Sequence, residues 1–220
     1  MKVILFGATG MVGQGVMREC LLAPDVEKVL SVGRTALGQQ ASKLHEALLP
    51  DLSDLTAIEG DLSGYDACFF CLGVSSVGMS EPDYRRITYD LTLSTARLLS
   101  RLNPELTFVY VSGQGTDSSE QGRSMWARVK GKTENDLLAL PMKAYMFRPG
   151  IIQPAHGVVS KTPLYRWIYR LTGPITPFLQ RAFPKYVTTN EQIGRAMLQV
   201  ARAGAPAHIL ANREISALGS

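Results

Sequence analysis

Short apolar runs alternate along the chain with longer stretches whose apolar positions recur every three or four residues. The first run, Lys2-Val3-Ile4-Leu5-Phe6, predicts a strand buried on both faces. A helix is expected over 11–22, and Pro24-Asp25 breaks the chain before a second strand, 28–32. The polar stretch 35–43 leads to a short third strand near 55–58 and a turn at Gly60-Asp61, and a fourth strand covers 67–71. Glu81 to Leu102 reads as one long helix, with Ile87, Leu91, Ala96, Leu98 and Leu99 as its apolar positions and Asn103-Pro104 ending it. A fifth strand, 106–111, opens onto Ser112-Gly113-Gln114-Gly115. A helix over 125–140, a sixth strand over 142–147 and the turn Arg148-Pro149-Gly150 follow, and one more amphipathic helix is predicted over 191–203.

This alternation predicts an α/β fold, a Rossmann-type doubly wound parallel sheet covered by helices on both faces. The chain reads as a single domain over 1–220, with 151–220 contributing a small lobe over the carboxyl ends of the strands, where ligands bind in open α/β sheets. The first strand runs directly into Gly7-Ala8-Thr9-Gly10-Met11-Val12-Gly13. A strand, a glycine-rich turn and a helix start in that order make a site for a dinucleotide pyrophosphate. Glycines let backbone approach the phosphates, and the free N–H groups and dipole of the helix start favour negative charge. The spacing is G-x-x-G-x-x-G, not the commoner G-x-G-x-x-G, which bears on the family.

Composition narrows the picture. With 45% hydrophobic and 19% charged residues in 220, the chain is that of a globular protein. A net charge of +4 is mild enough for an anionic cofactor to account for it, so no nucleic-acid partner is expected. No apolar stretch reaches the roughly 20 residues that span a bilayer. The N-terminus is already a core strand, which leaves no room for a cleavable signal peptide, and a cytoplasmic location is expected. Cys20, Cys68 and Cys71 fit a reducing compartment. Cys68 and Cys71 match C-x-x-C, yet they lie in a strand, where residues three apart point to opposite faces. They read as core packing, not as a redox pair.

Strand two ends in Gly33-Arg34, and no Asp or Glu occurs between Lys28 and Glu46. An acidic residue there would bind a ribose 2′-OH; an arginine suits a 2′-phosphate, so NADP is expected, with NAD left open. Asp61 and Leu62 are placed to meet the adenine edge, unless Gly60-Asp61 is an ordinary turn. Leu72-Gly73 would let the chain pass close to the cofactor, or Gly73 merely ends the strand.

Together the Gly7 to Gly13 stretch, Gly60-Asp61, Ser112 ending strand five, Lys130 in the next helix and Arg148-Pro149-Gly150 resemble the short-chain dehydrogenase/reductase superfamily. The glycine spacing and the lobe after the sheet resemble its extended and atypical branches. Val111-Ser112-Gly113, Val129-Lys130-Gly131-Lys132-Thr133-Glu134 and Phe147-Arg148-Pro149-Gly150 are most similar to the reductase-like group that includes the Tat-interacting-protein oxidoreductase. The resemblance spans nearly the whole chain. It implies an NAD(P)-dependent oxidoreductase acting on a small carbonyl or alcohol, with cofactor contacts from Gly7, Thr9, Gly10, Met11, Val12, Gly13, Arg34, Asp61, Leu62, Leu72, Gly73, Lys130, Arg148, Pro149 and Gly150. It also raises a homodimer through the helices around residues 81–102 and Trp126.

The superfamily's chemistry rests on a serine and a Tyr-x-x-x-Lys pair, in which the tyrosine moves a proton to or from the substrate oxygen. Ser112 and Lys130 match these roles, but the tyrosine position holds Trp126, and an indole is no acid or base near neutral pH. Either a bound water, Ser112 or another side chain such as Ser124 or Tyr84 supplies the proton, or the protein is a catalytically silent NADPH-binding regulator. A sugar-nucleotide epimerase is a weaker alternative, because it needs the same tyrosine. Lys130 could also be a surface lysine, and Ser112 a turn residue. The aromatic and basic stretch 164–186 could wall a substrate pocket, form an oligomer surface, lie in the core or touch a membrane. His45, His156 and His208 share no metal-ligand spacing, so no metal is expected, and His156 is either a loop residue or faces the substrate.

Overall fold

A computed structural model describes residues 1–155 and 187–220. Seven parallel strands form one sheet in the order β3-β2-β1-β4-β5-β6-β9: β1 (Lys2–Phe6), β2 (Lys28–Gly33), β3 (Leu44–Leu48), β4 (Ala67–Phe70), β5 (Thr107–Val111), β6 (Lys143–Arg148) and β9 (Ile209–Ala211). β7 (Ile151–Gln153) and β8 (Val187–Thr189) pair separately as a small parallel ribbon. Helix α1 spans Met11–Leu22. Helix α2 runs as Glu81–Arg85, a π turn Arg86–Asp90 and Leu91–Leu102, while α3 is Met125–Leu138, α4 Asn190–Ala203 and α5 Asn212–Leu218. The expected Rossmann-type sheet is what the chain forms, and its central strands are apolar throughout because both faces are covered.

Alternate residues of each strand feed two core layers. Val3 and Leu5 face α1, α4 and α5, with Val16, Cys20, Ile193 and Met197; Ile4 and Phe6 face the other way, with Phe70, Leu93, Leu99 and Phe108. In that second layer Phe6 and Phe70 lie 5.2 Å apart, and Phe70 and Phe108 5.8 Å. Cys68 belongs to this layer and Cys71 packs against the other, so the C-x-x-C sulfurs do point to opposite faces. Burial pushes both thiols above their usual range.

One element differs from expectation. The third strand is Leu44–Leu48, paired with β2, and the segment expected to be a strand near 55–58 belongs to a 3-10 turn, Thr56–Leu62. β3 is an edge strand with half-solvated faces, so it carries His45 and Glu46 among its apolar residues and makes no apolar run. Leu52, Leu55 and Leu62 instead plug the core from turns, which the eye reads as strand-like spacing.

Helices α1 and α4 cross with backbone nearly touching. A Cβ at Gly15 would stand 2.6 Å from the Asn190 carbonyl oxygen, and one at Gly194 3.0 Å from the Val16 Cα. The start of α4 is fixed by Thr189, whose hydroxyl accepts from the Gln192 amide at 3.0 Å while the Gln192 side chain accepts from the Thr189 amide at 3.1 Å. Gly15→Ala is therefore expected to destabilise the fold by about 1–3 kcal/mol through overpacking. At an unobstructed helix position the same change stabilises by up to about 1 kcal/mol. Urea denaturation of the variant decides the sign.

Candidate functional site

The first β-to-α junction is built by backbone. Gly7 has φ +83°, and a Cβ there would lie 2.7 Å from the Cys71 carbonyl carbon at the end of β4, so β1 leaves the sheet hard against its neighbour. The Gly10 amide donates to the Gly7 carbonyl at 2.9 Å, and the Gly10 carbonyl accepts the first intrahelical bond from Gln14 at 2.9 Å. A Cβ at Gly13 would fall 2.1 Å from the Gly7 carbonyl oxygen. Gly10 caps α1 without a side chain, and the first turn holds no acidic residue. The amides of Met11, Val12 and Gly13 thus begin the helix without intrahelical acceptors and with no anion already in place. Asn190 ties this turn to α4, donating to the Met11 carbonyl at 3.2 Å and accepting from the Ala155 amide at 2.9 Å.

A cleft of about 100 Å³ opens beside the junction, lined by Gly7, Thr9, Ser31, Arg34, Leu52 and Leu72 among others. Arg34 is exposed at the end of β2, so its guanidinium is available at the mouth. A Cβ at Gly73 would meet nothing within 4 Å, which leaves the end of β4 open. Asp61 and Leu62 do not line the cleft. Asp61 is exposed in the 3-10 turn, and Leu62 is wholly buried in the core below it. The strand that was to present them is that turn.

A second cavity, of about 470 Å³, lies past the carboxyl ends of β5 and β6 and is lined by Val111, Ser112, Gly113, Gln114, Trp126, Pro149, Gly150, Ile151 and Ile152. Here the structure brings together Ser112, Trp126, Pro149 and Gly150 from separate parts of the chain. The Ser112 hydroxyl donates to the Phe147 carbonyl at 3.0 Å, and the Ser112 carbonyl accepts from the Lys130 ammonium. Trp126 lies along Gly115, where a Cβ would be 3.3 Å from the indole Cη2. Of the side chains considered as substitute proton donors, only Ser112 lines this cavity; Tyr84 is buried in α2 and Ser124 is exposed ahead of α3. Burial also pushes the Tyr84 phenol above its usual range.

Arg148 turns away from the cavity. Its guanidinium grips Glu134, with Nε 3.1 Å from each carboxylate oxygen and Nη2 on the same group, and also donates to Ser118. Glu134 has no exposed surface, so a guanidinium is what makes its charge tolerable there. The pair clamps α3 to β6. A Cβ at Gly131 would stand 1.7 Å from the Asp117 carbonyl oxygen, so the loop after β5 rests directly on α3. Asp117 holds that loop through the Gly122 amide at 2.6 Å and the Ser119 amide at 3.0 Å. Sequence reasoning quoted Gly131 and Glu134 within a motif but assigned them no role, and it missed Asn190. Glu134 follows Lys130 by one helical turn, which was the one legible signal. Stretch 164–186 and His156 lie outside the described residues. Among the described residues no group of three or more His, Cys, Asp or Glu is placed to hold a metal ion, and no helix is long and apolar enough to cross a membrane.

No protein-family model matches the chain. It is 28% identical over 152 residues to the mitochondrial protein FMP52-2 of Scheffersomyces stipitis, covering 67% of this chain and 65% of that one. It is 26% identical over 154 residues to rat HTATIP2, covering 69% of this chain and 62% of the relative. The matched region thus spans a little under two thirds of these relatives. A short-chain dehydrogenase/reductase family oxidoreductase from Burkholderia thailandensis superposes with a TM-score of 0.67 at 16% identity, covering 96% of this chain and 89% of its own. The Bordetella bronchiseptica enzyme WbmF, solved with NAD+, gives 0.65 at 16%, covering 99% and 76%. Several of the curated relatives are named mitochondrial, which overturns the cytoplasmic expectation. That expectation rested on the N-terminal core strand and on cysteine usage, and cysteine usage does not separate one compartment from another. The resemblance read from the motifs is borne out: the chain has the fold of the short-chain dehydrogenases/reductases and is similar in sequence to FMP52 and HTATIP2.

Proposed function

We propose that the chain binds NADP(H) and serves as an oxidoreductase on a small carbonyl or alcohol compound. The observation that carries this is the glycine-built turn Gly7-Ala8-Thr9, which lines one cleft with Arg34 and leads directly into the uncapped start of α1. These residues fit the group. The first-turn amides of α1 would take the pyrophosphate, Arg34 a ribose 2′-phosphate, and Leu72-Gly73 the passage toward the second cavity, where the nicotinamide would supply or accept a hydride. Lys130, which holds the Ser112 carbonyl and does not itself line the cavity, would in this reading be the donor to the nicotinamide ribose. A second reading, an NADPH-binding regulator without turnover, is supported by Trp126 at the tyrosine position and by the inward hydrogen bond of Ser112.

Lys130 has a distinctive electrostatic setting. Burial pulls its ammonium from 10.5 down to about 8, and the Glu134 carboxylate partly offsets this. Below pH 8 the folded and unfolded chains both carry the proton. Between about 8 and 10.5 the folded state has released it and the unfolded state has not, so Lys130 makes stability rise with pH across that window.

Titration with reduced cofactors tests the binding assignment. NADPH is expected to bind more tightly than NADH, and Arg34→Ala to weaken NADPH by about 10–100-fold, the worth of a charge-assisted hydrogen bond, with little effect on NADH. Equal loss for both cofactors removes Arg34 from the phosphate. Urea unfolding tests the lysine: relative to Lys130→Met, the native chain is expected to gain about 2–3 kcal/mol between pH 7.5 and 10.5. Parallel pH curves for the two proteins would show that the amine titrates normally.

A further inference from the structure

The cavity around Trp126 has walls well suited to one class of carbonyl compound and poorly suited to another. Its polar side chains among the described residues are Ser112, Gln114 and Trp126, none of which is an acid or base near neutral pH. The Ser112 hydroxyl proton is already directed at the Phe147 carbonyl, and the Ser112 carbonyl is taken by Lys130. The remaining lining is apolar: Val111, Pro149, Ile151 and Ile152. A saturated ketone that takes up a hydride becomes an alkoxide about as basic as hydroxide, and it needs a positioned acid at that moment. A quinone does not. Its charge spreads over the ring onto a phenolate oxygen whose conjugate acid has a pKa near that of tyrosine, about 10, so water can protonate it afterwards.

We propose that this cavity selects a flat, conjugated dicarbonyl compound of the quinone class, stacked on the Trp126 indole, over saturated ketones and aldehydes. The proposal rests on the nicotinamide reading above and names the substrate class of that same site. The quinone accepts a hydride from a dihydronicotinamide donor, one new O–H or C–H bond forms on it, and a ring electron pair moves to the opposite oxygen. A proton from water completes the hydroquinone. The quinone is thereby reduced by two electrons and the donor oxidised by two. A volume of about 470 Å³ admits a two-ring compound. Aromatic contact supplies affinity without any proton donor, and Gly115 keeps the loop backbone close along the indole edge.

The test uses the full chain, a naphthoquinone and a tetralone of similar size that has one unconjugated carbonyl. Calorimetry without cofactor is expected to show the naphthoquinone binding and Trp126→Ala weakening it by about fivefold to tenfold, the worth of an aromatic pair. Trp126→Phe, which keeps a ring, is expected to retain most of that affinity, and this separates lost stacking from lost folding. With NADPH binding measured separately, NADPH oxidation is expected to be about 100-fold faster with the naphthoquinone than with the tetralone, within the usual worth of a general acid. Trp126→Tyr, which restores a phenol, is expected to raise the tetralone-to-naphthoquinone rate ratio by about tenfold or more. Failure to bind NADPH overturns the cofactor reading and the proposal together. Bound NADPH with no naphthoquinone binding, or with equal rates for the two compounds, overturns the proposal alone.

Discussion

Where α1 leaves β1, backbone rests on backbone. A single methyl group at Gly13 would lie 2.1 Å from the Gly7 carbonyl oxygen, and one at Gly7 would strike the end of β4. The first turn of α1 is therefore pressed against the edge of the sheet with nothing between them, and its N–H groups point past the strands without a side-chain cap. The far side of the same helix is held in the same manner, because Gly15 lets Asn190 approach α1 and Gly194 lets α1 approach α4. Glycine is costly in a helix by about 1 kcal/mol relative to alanine. Four close approaches around one turn make sense only if the position of that turn matters more than the helix's own stability. The Asn190 side chain completes the brace with bonds to the Met11 carbonyl and the Ala155 amide.

The second cavity depends on a different constraint, the burial of Glu134. A carboxylate with no exposed surface requires a partner, and Arg148 supplies one with several hydrogen bonds. The pair fixes α3 to the end of β6, so Trp126 and Lys130 on α3 are set against Pro149 and Gly150 after β6. Next to it, the Gln114 amide donates to the Pro149 carbonyl at 2.8 Å and the Gly150 amide to the Asn212 side chain at 2.8 Å. Arg148 thus acts on the site through position. Removing either partner would leave an uncompensated buried charge, a loss of about 3–5 kcal/mol.

The fold was legible because its strands are buried on both faces and therefore appear as uninterrupted apolar runs, with glycine and proline marking the breaks. β3 escaped because an edge strand needs no such run, and Leu55 to Leu62 imitated one from a 3-10 turn. That single shift also explains why Asp61 and Leu62 fell outside the cleft. In the candidate site, Gly7 to Gly13, Arg34 and Ser112 stood out in the sequence because the chemistry expected of them is local to a turn or a strand end. Glu134 and Asn190 did not. Each acts on residues distant in sequence (14 positions to Arg148, 179 to Met11), and nothing local distinguishes a buried carboxylate on a helix from a solvated one.

Trp126, where the resemblance expects a tyrosine, has a clear place in this architecture. The loop across Gly131 and the clamp of Glu134 on Arg148 hold the helix that carries it. Set against the tyrosine that the resemblance expects there, an indole brings no titrating proton. Ser112 cannot make up the loss while its hydrogen is committed to Phe147, because a hydroxyl has one hydrogen to give and its remaining lone pairs only accept. Lys130 has a proton that burial makes easier to release, yet its ammonium is held on the Ser112 carbonyl, behind the cavity wall. Binding and proton delivery are thus separable in the proposed reading: the Gly7 to Gly13 turn and Arg34 are placed beside one cleft, while the Trp126 cavity offers no acid among its described side chains. In the proposed reading, such a site would discriminate among compounds by the basicity of what they become.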